Sequence, residues 1–477
     1  MGEVSLQVGG CCEGDNMRLG QRFVPIQRAR MPYLKKLFWA YFLLLVFEGA
    51  LRKWIVPQLS APLLLVRDPI AVLIIIEAMS NNKWPERWSA FAGFLSFGVI
   101  GLCVLQMVAV GNPWIAAVYG LRSYLLPFPV AFIMGENLDA EDLRKFGVCM
   151  MWILLPMTAL EVAQYLSPPG SFLNAGAYRG AQQIIYVTSH ARASGTFSYV
   201  VGPICFNTLA GAFVFYGFVK RNFAKNWLLW AASSALVFAI PVVGARTLVF
   251  TLAGLVACVG IAAMSGVTQF GKTLQIAVPV LLVTFLVSLL PLFSEASVSL
   301  RQRFAQAGQA EGGTRQALVS RTIGPIVERI ENTDLLSNPI GLGMGRGAAA
   351  ITALLQGTPS FLAGEGEFDR EINELGPLPG IAFMLFRLLL TLMIATAAIS
   401  KVRSEGESLA LLFSPAIVAT LLLGILEQPM EDGFLVISVA FALAALKVRS
   451  TSTQSHTIGT VSSVNTFGRR SRIQILG

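Results

Sequence analysis

The chain has 477 residues, of which 55% are hydrophobic and only 13% charged. Soluble domains carry roughly 25% charged residues, and the mean hydropathy here is +0.65. A soluble globular enzyme, a disordered chain, a collagen and a coiled coil are excluded, which leaves a polytopic membrane protein. The apolar runs are continuous and about as long as a bilayer-crossing helix needs, roughly twenty residues. Barrel strands would instead alternate polar and apolar residues over runs of about ten. The fold class predicted is therefore all-α.

Residues 1–33 form a polar tail that carries Cys11 and Cys12. The first apolar run begins near Leu37, with no small-residue cleavage site behind it, so no cleavable signal peptide is expected. Apolar periodicity predicts twelve spans, at 34–51, 58–79, 89–110, 114–134, 146–166, 197–219, 227–243, 246–265, 274–293, 376–400, 409–426 and 433–446. Spans one to nine thus occupy 34–293, and spans ten to twelve occupy 376–446. The tail from 447 to 477, rich in Ser, Thr and Arg, reads as disordered. The remaining cysteines (Cys103, Cys149, Cys205, Cys258) fall inside spans, so neither a disulfide framework nor a CxxC metal site is predicted. With only His190 and His456 available, a histidine-rich metal centre is not expected either.

The net charge of +9 reads as basic loops on one membrane face rather than as a nucleic-acid surface. If both ends lie inside, the inside segments hold 21 Lys and Arg and the short outside segments hold 5. Positive residues gather on the cytoplasmic side, so both termini are predicted to be cytoplasmic. Two outside segments are long, about 167–195 and 294–375, and long membrane loops are usually functional. Within the second, Thr314 to Glu331 shows partly helical apolar spacing interrupted by Gly324-Pro325, which predicts a kinked amphipathic helix.

Candidate chemistry concentrates on this outer side. Arg192 lies in RASGTF before span six, Arg246 in GARTLV at the turn into span eight, and Arg321 in SRT on the loop helix. Arginine stays charged, and its planar fork matches phosphate oxygens bidentately. The bland reading of each is an interfacial anchor that snorkels to headgroups. GEGEFDREINELG, from Gly364 to Gly376, supplies Glu365, Glu367, Asp369, Glu371 and Glu374. One of these acids could take a proton from a sugar hydroxyl. The alternative is a solvated helix face with internal pairs such as Arg370 with Glu374. The string GLGMGRG, Gly341 to Gly347, follows no strand, so it is a tight turn of closely approaching backbones or a set of amides facing an anion. Among charges inside spans, Arg67 and Asp68 are adjacent and so must pair elsewhere. Arg122 is a candidate partner for Asp68 or Glu77. These buried charges and Arg387 read as structural and as nearer the cytoplasmic half.

The order and spacing of these motifs resemble the O-antigen ligase and O-antigen polymerase family of bacterial envelope enzymes. RASGTF is similar to the family's Arg-x-x-Gly stretch entering a span. GARTLV is similar to its small-residue–Arg turn. SRT followed by NPIGLGMGRG resembles its Arg, helix, Pro-x-Gly-x-Gly pattern, and INELGPLPG its Glu-x-Gly-x-x-Gly. The resemblance covers residues 180–400 well and the N-terminal third only in topology. It implies a membrane-embedded glycosyltransferase of the bacterial inner membrane, with 294–375 as a periplasmic loop. It further implies metal-independent transfer without a cofactor, from a glycan on undecaprenyl pyrophosphate. Arg192 and Arg246 would then bind the pyrophosphate and Arg321 would assist. Many family members carry a histidine where Glu365 stands here, so Glu365 or a neighbouring acid is the expected base, with His190 as a substitute. On general likeness, polymerisation of exopolysaccharide or O-antigen repeats is preferred to ligation of a finished chain. Membrane lipids and other polysaccharide assembly proteins are the expected partners. A secondary transporter and a docking subunit of an export complex are the alternatives, although the two matched halves usual in transporters are not seen.

Overall fold

Proline and charge decide where the apolar runs of this chain become helices. The computed structural model describes residues 33–176, 190–220, 222–264, 339–348 and 367–448, with single positions at 298, 302, 305, 351, 352 and 355. The predicted ninth span, the helix over 314–331, Arg321, Glu365 and the tail after residue 448 lie outside the described residues.

Among the described residues the regular structure is helical. The elements are α1 (Tyr33–Ala50), α2 (Ser60–Leu63), α3 (Asp68–Ser80), α4 (Glu86–Ala109), α5 (Trp114–Tyr124), α6 (Pro127–Asn137), α7 (Ala140–Leu166), α8 (Val201–Val219), α9 (Asn226–Val243), α10 (Arg246–Met264), α11 (Glu367–Leu375), α12 (Pro377–Glu405), α13 (Leu409–Leu412), α14 (Ser414–Ile417) and α15 (Pro429–Lys447). Among the described residues, eight segments are long and apolar enough to cross a membrane: α4, α5 with α6, α7, α8, α9, α10, α12 and α15. The chain is a multi-pass α-helical membrane protein.

Three predicted spans are not single helices. Span two is a 3-10 turn at Pro57–Leu59, then α2, then a turn into α3 with Pro at its start. Span four breaks at Leu125–Leu126, just before Pro127 opens α6. Span eleven is α13, α14 and a π-helical turn at Val418–Leu422, with Pro415 in the first turn of α14. The reason is shared. Proline has no N–H for the helix ladder, and its ring clashes with the preceding turn, so hydropathy continues where the helix cannot. α7 starts more firmly, through a capping box in which Asp139 and Asp142 satisfy each other's backbone N–H.

α15 lies at the centre, packed on α6, α8 and α13. Its Phe441 meets Phe213 of α8 edge to face at 5.6 Å, and Phe146 of α7 lies 5.2 Å away. α4 is peripheral and exposes Phe94, Phe97 and Val108, the outer face of a helix solvated by lipid rather than water.

Candidate functional site

RASGTF is an irregular segment held by side chains from two helices. Gln164, near the end of α7, accepts from Ser194 N–H at 3.0 Å and Gly195 N–H at 2.8 Å, and its amide donates to the Gly195 carbonyl at 3.1 Å. Lys53, in the π-helical turn that follows α1, donates to Ser194 Oγ at 2.9 Å and to the Gly195 and Phe197 carbonyls at 2.8 Å each. Burial pushes the Lys53 ammonium down to about 7, while three acceptors call for all three of its protons. Arg52 donates to Ser198 Oγ at 3.0 Å and Thr196 Oγ1 to the Val46 carbonyl at 2.6 Å. Non-helical backbone at membrane depth survives only when its polar groups are satisfied in this way.

This segment and the GARTLV turn each pack, through a small residue, on the helix beside the other. Ala193 packs with Val242 of α9 and Tyr165 of α7. Ala245, at the turn, packs with Val200 and Ile204. Arg192 and Arg246, both half-buried, therefore sit on backbones that the fold brings together. Arg246 is the first residue of α10.

GLGMGRG and INELG form the second pair. Leu342 N–H donates to the Asn373 carbonyl at 2.8 Å and Gly343 N–H to the Glu374 carbonyl at 3.2 Å. Gln106 of α4 clamps both strings: its amide donates to Ile340 O at 2.6 Å and Glu374 O at 2.8 Å, and its carbonyl accepts from Met344 N–H at 2.8 Å. The amides do face an anion, and it is Glu374. Its carboxylate accepts from Gly345 N–H at 3.1 Å, Gly347 N–H at 2.8 Å and Tyr124 O–H at 2.8 Å. Burial raises the Glu374 pKa, against the Arg370 charge and these hydrogen bonds. The tight-turn reading holds as well. Gly345 has φ +73°, and a β-carbon there would overlap the Ala116 carbonyl.

The acidic helix α11 is not solvated. Glu367, Arg370, Glu371 and Glu374 are all buried, and Arg370 pairs with Glu367 at 3.0 Å and Glu427 at 2.6 Å rather than with Glu374. Arg387 of α12 pairs with Glu367 at 3.1 Å and closely with Glu371. α11 keeps one internal pair, Arg370 with Glu367, and its other charges reach groups of other elements, Glu371 to Arg387 and Arg370 to Glu427.

A second chain of pairs runs beside it. Arg67 meets Glu48 at 2.9 Å, Glu48 approaches Arg52 at 3.6 Å, and Arg67 also donates to the Pro429 carbonyl. Arg122 bonds Asp68 at 2.6 Å and lies 3.7 Å from Asp432. The expected Arg122–Asp68 pair thus exists, and Arg67 and Asp68 do pair with other helices. These charges and Arg387 are not isolated from one another. They converge on residues 424–432, before and at the start of α15, where Arg370 and Arg387 also bond. Between Tyr41, Arg67, Asp68, Arg122 and Asp432 remains a space of about 10 Å³, enough for a single water. Together the two chains make a buried polar belt from RASGTF to the start of α12.

His190 stacks on Tyr165, ring centroids 4.6 Å apart, and its Nδ1 lies 3.2 Å from the Tyr165 carbonyl. Lys53, Gln106 and Gln164 were not legible as site residues in the sequence. Gln106 and Gln164 are single amides near the ends of apolar helices and Lys53 reads as one of two adjacent outer basic residues, so only their partners reveal their roles. The chain matches no protein-family model and no curated protein.

Proposed function

We propose that this protein is a glycosyltransferase acting at the periplasmic face of the bacterial inner membrane, with both termini cytoplasmic, and that it polymerises undecaprenyl-pyrophosphate-linked oligosaccharide repeats. The observation that carries the reading is the pairwise meeting of four motifs distant in sequence. RASGTF and GARTLV come near each other through flanking residues, Ala193 on Val242 and Ala245 on Val200 and Ile204, and GLGMGRG is clamped to INELG. In the reaction the acceptor hydroxyl oxygen attacks the anomeric carbon. The bond from that carbon to pyrophosphate breaks, the lipid pyrophosphate leaves with the electron pair, and a base takes the hydroxyl proton. Arg192 and Arg246 meet the charge that develops on the leaving group. Arg321 assists from the loop, and Glu365 is the base.

One observation favours a transporter instead. The helices broken near residues 66, 125 and 413 flank buried charges, and transporters bind substrates at such discontinuities. Mass spectrometry of lipid extracts from a deletion strain separates the readings. Build-up of undecaprenyl pyrophosphate bearing one repeat supports polymerisation, and build-up bearing long chains means ligation. Unchanged lipid-linked glycans favour transport and discard the arginine assignments.

A further inference from the structure

Beneath the RASGTF turn lies a second polar cluster that the belt does not use. Glu161 of α7 and Asn207 of α8 are both fully buried, and Thr158, one helical turn before Glu161, is 5% exposed. Glu161 and Asn207 adjoin across the α7–α8 contact, close enough for the Asn207 amide to favour the Glu161 carboxylate but without the geometry of a hydrogen bond. Neither carboxylate oxygen of Glu161, neither polar atom of Asn207, nor the Thr158 hydroxyl has a hydrogen-bond partner. Residues three apart on a helix share a face, so Thr158 and Glu161 look the same way. The Glu161 carboxylate also approaches Gly195, where a β-carbon would lie 3.4 Å from Oε1.

Thr158 is telling. Hydroxyls inside helices normally donate to the carbonyl four residues back. Thr208, Thr391 and Thr420 do so at 2.7, 2.8 and 2.8 Å. The Thr158 hydroxyl does not, and its oxygen is left available as a ligand. Lys53, which touches the same Gly195, uses its protons on Ser194, Gly195 and Phe197 and makes no ion pair with Glu161. An intramembrane carboxylate without a counter-charge is expensive and is usually functional. Four oxygens of these three side chains are buried without a hydrogen-bond partner: two from Glu161, one from Asn207 and one from Thr158. A single proton would neutralise Glu161 but would satisfy only one further acceptor.

We propose that Glu161, Asn207 and Thr158 bind a dehydrated monovalent cation, sodium or potassium, beneath the segment that carries Arg192. Oxygen ligands suit such a hard ion, and the single carboxylate balances its charge. The inference does not depend on glycosyl transfer, and neither does its test.

The test uses the full-length protein in detergent at alkaline pH. Thermal unfolding is followed in sodium, potassium and choline chloride at equal ionic strength, beside direct binding of radioactive sodium. The unfolding temperature of the wild type should rise saturably with sodium or potassium over choline, because an ion that binds only the folded state stabilises it. Glu161→Gln should lose that dependence. Asn207→Ala and Thr158→Val should each weaken apparent affinity about tenfold, or about 1.4 kcal/mol. Equal stability in all three salts overturns the proposal, as does an unchanged ion dependence in Glu161→Gln. Stability that rises on acidification without any salt dependence assigns the site to a proton and overturns it as well. Should Glu161→Gln fail to fold, sodium binding by Thr158→Val decides, and wild-type affinity there sinks the site.

Discussion

At the scale of residues, the belt is a set of charges that survive burial because each has several partners. Arg387 shows what that requires. It is fully buried, bonds Glu367 and Glu371, and donates to the Leu421 carbonyl at 2.6 Å and the Gly424 carbonyl at 2.6 Å. Removing one side of a buried pair leaves an uncompensated charge, at about 3–5 kcal/mol. Arg387→Met should therefore lower the thermal unfolding temperature sharply, and adding Glu371→Leu should restore part of the loss. A double variant as unstable as the single one would mean that the carbonyl contacts dominate. Arg192 and Arg246 are half-buried at their two turns. On the transferase reading, Arg192→Lys and Arg246→Lys each lower transfer about 10²-fold, the scale of losing one fixed donor to developing charge, because lysine cannot form the bidentate fork. Wild-type transfer of lipid-linked repeats by both variants would remove the pyrophosphate clamp.

At the scale of elements, backbone clearance matters more than propensity. Gly345 and Gly111 both have positive φ, +73° and +65°. A β-carbon on Gly345 would overlap Ala116, whereas around Gly111 nothing lies within 4 Å. Gly111→Ala should cost only the left-handed penalty of about 1–2 kcal/mol. Gly345→Ala should cost that and the clash, and should free the 341–347 turn from Glu374. Comparing their unfolding temperatures checks this, and equal losses would show that the turn yields without strain. The broken helices follow the same logic. Pro57, Pro127 and Pro415 interrupt runs whose hydropathy would carry a full span, and belt charges lie by all three breaks: Arg67 and Asp68 before α3, Arg122 at the end of α5 and Glu427 after α14.

At the scale of the whole molecule, two kinds of charge divide the protein. At the end that the charge bias predicts to be inside, pairs keep at least one solvent-facing partner: Lys145 and Arg144 with Glu141 are all well exposed, and Lys220 is exposed where it meets buried Glu407. Such pairs contribute little to stability. At the opposite end the charges are buried and shared among α1, α3, α5, α11, α12 and α15. In a cysteine-free background, an Asn82→Cys variant should resist an impermeant maleimide in intact cells, while Ser171→Cys should react. The reverse pattern would invert the orientation and, with it, the face assigned to the belt.

Composition and periodicity alone determined that this is a multi-pass helical membrane protein, because lipid admits few backbone solutions and hydropathy reports them directly. The Arg122–Asp68 pair and the anion-facing amides of GLGMGRG were also legible, since a buried charge or a run of free N–H groups demands a partner. Which partner was not legible. That Glu374 fills the glycine turn, that Arg370 turns to Glu427, and that α11 is buried rather than solvated depend on helices separated by scores of residues. Periodicity describes one helix at a time, whereas the identity of a buried ion pair is set by which helices touch. Only the tertiary structure decided it.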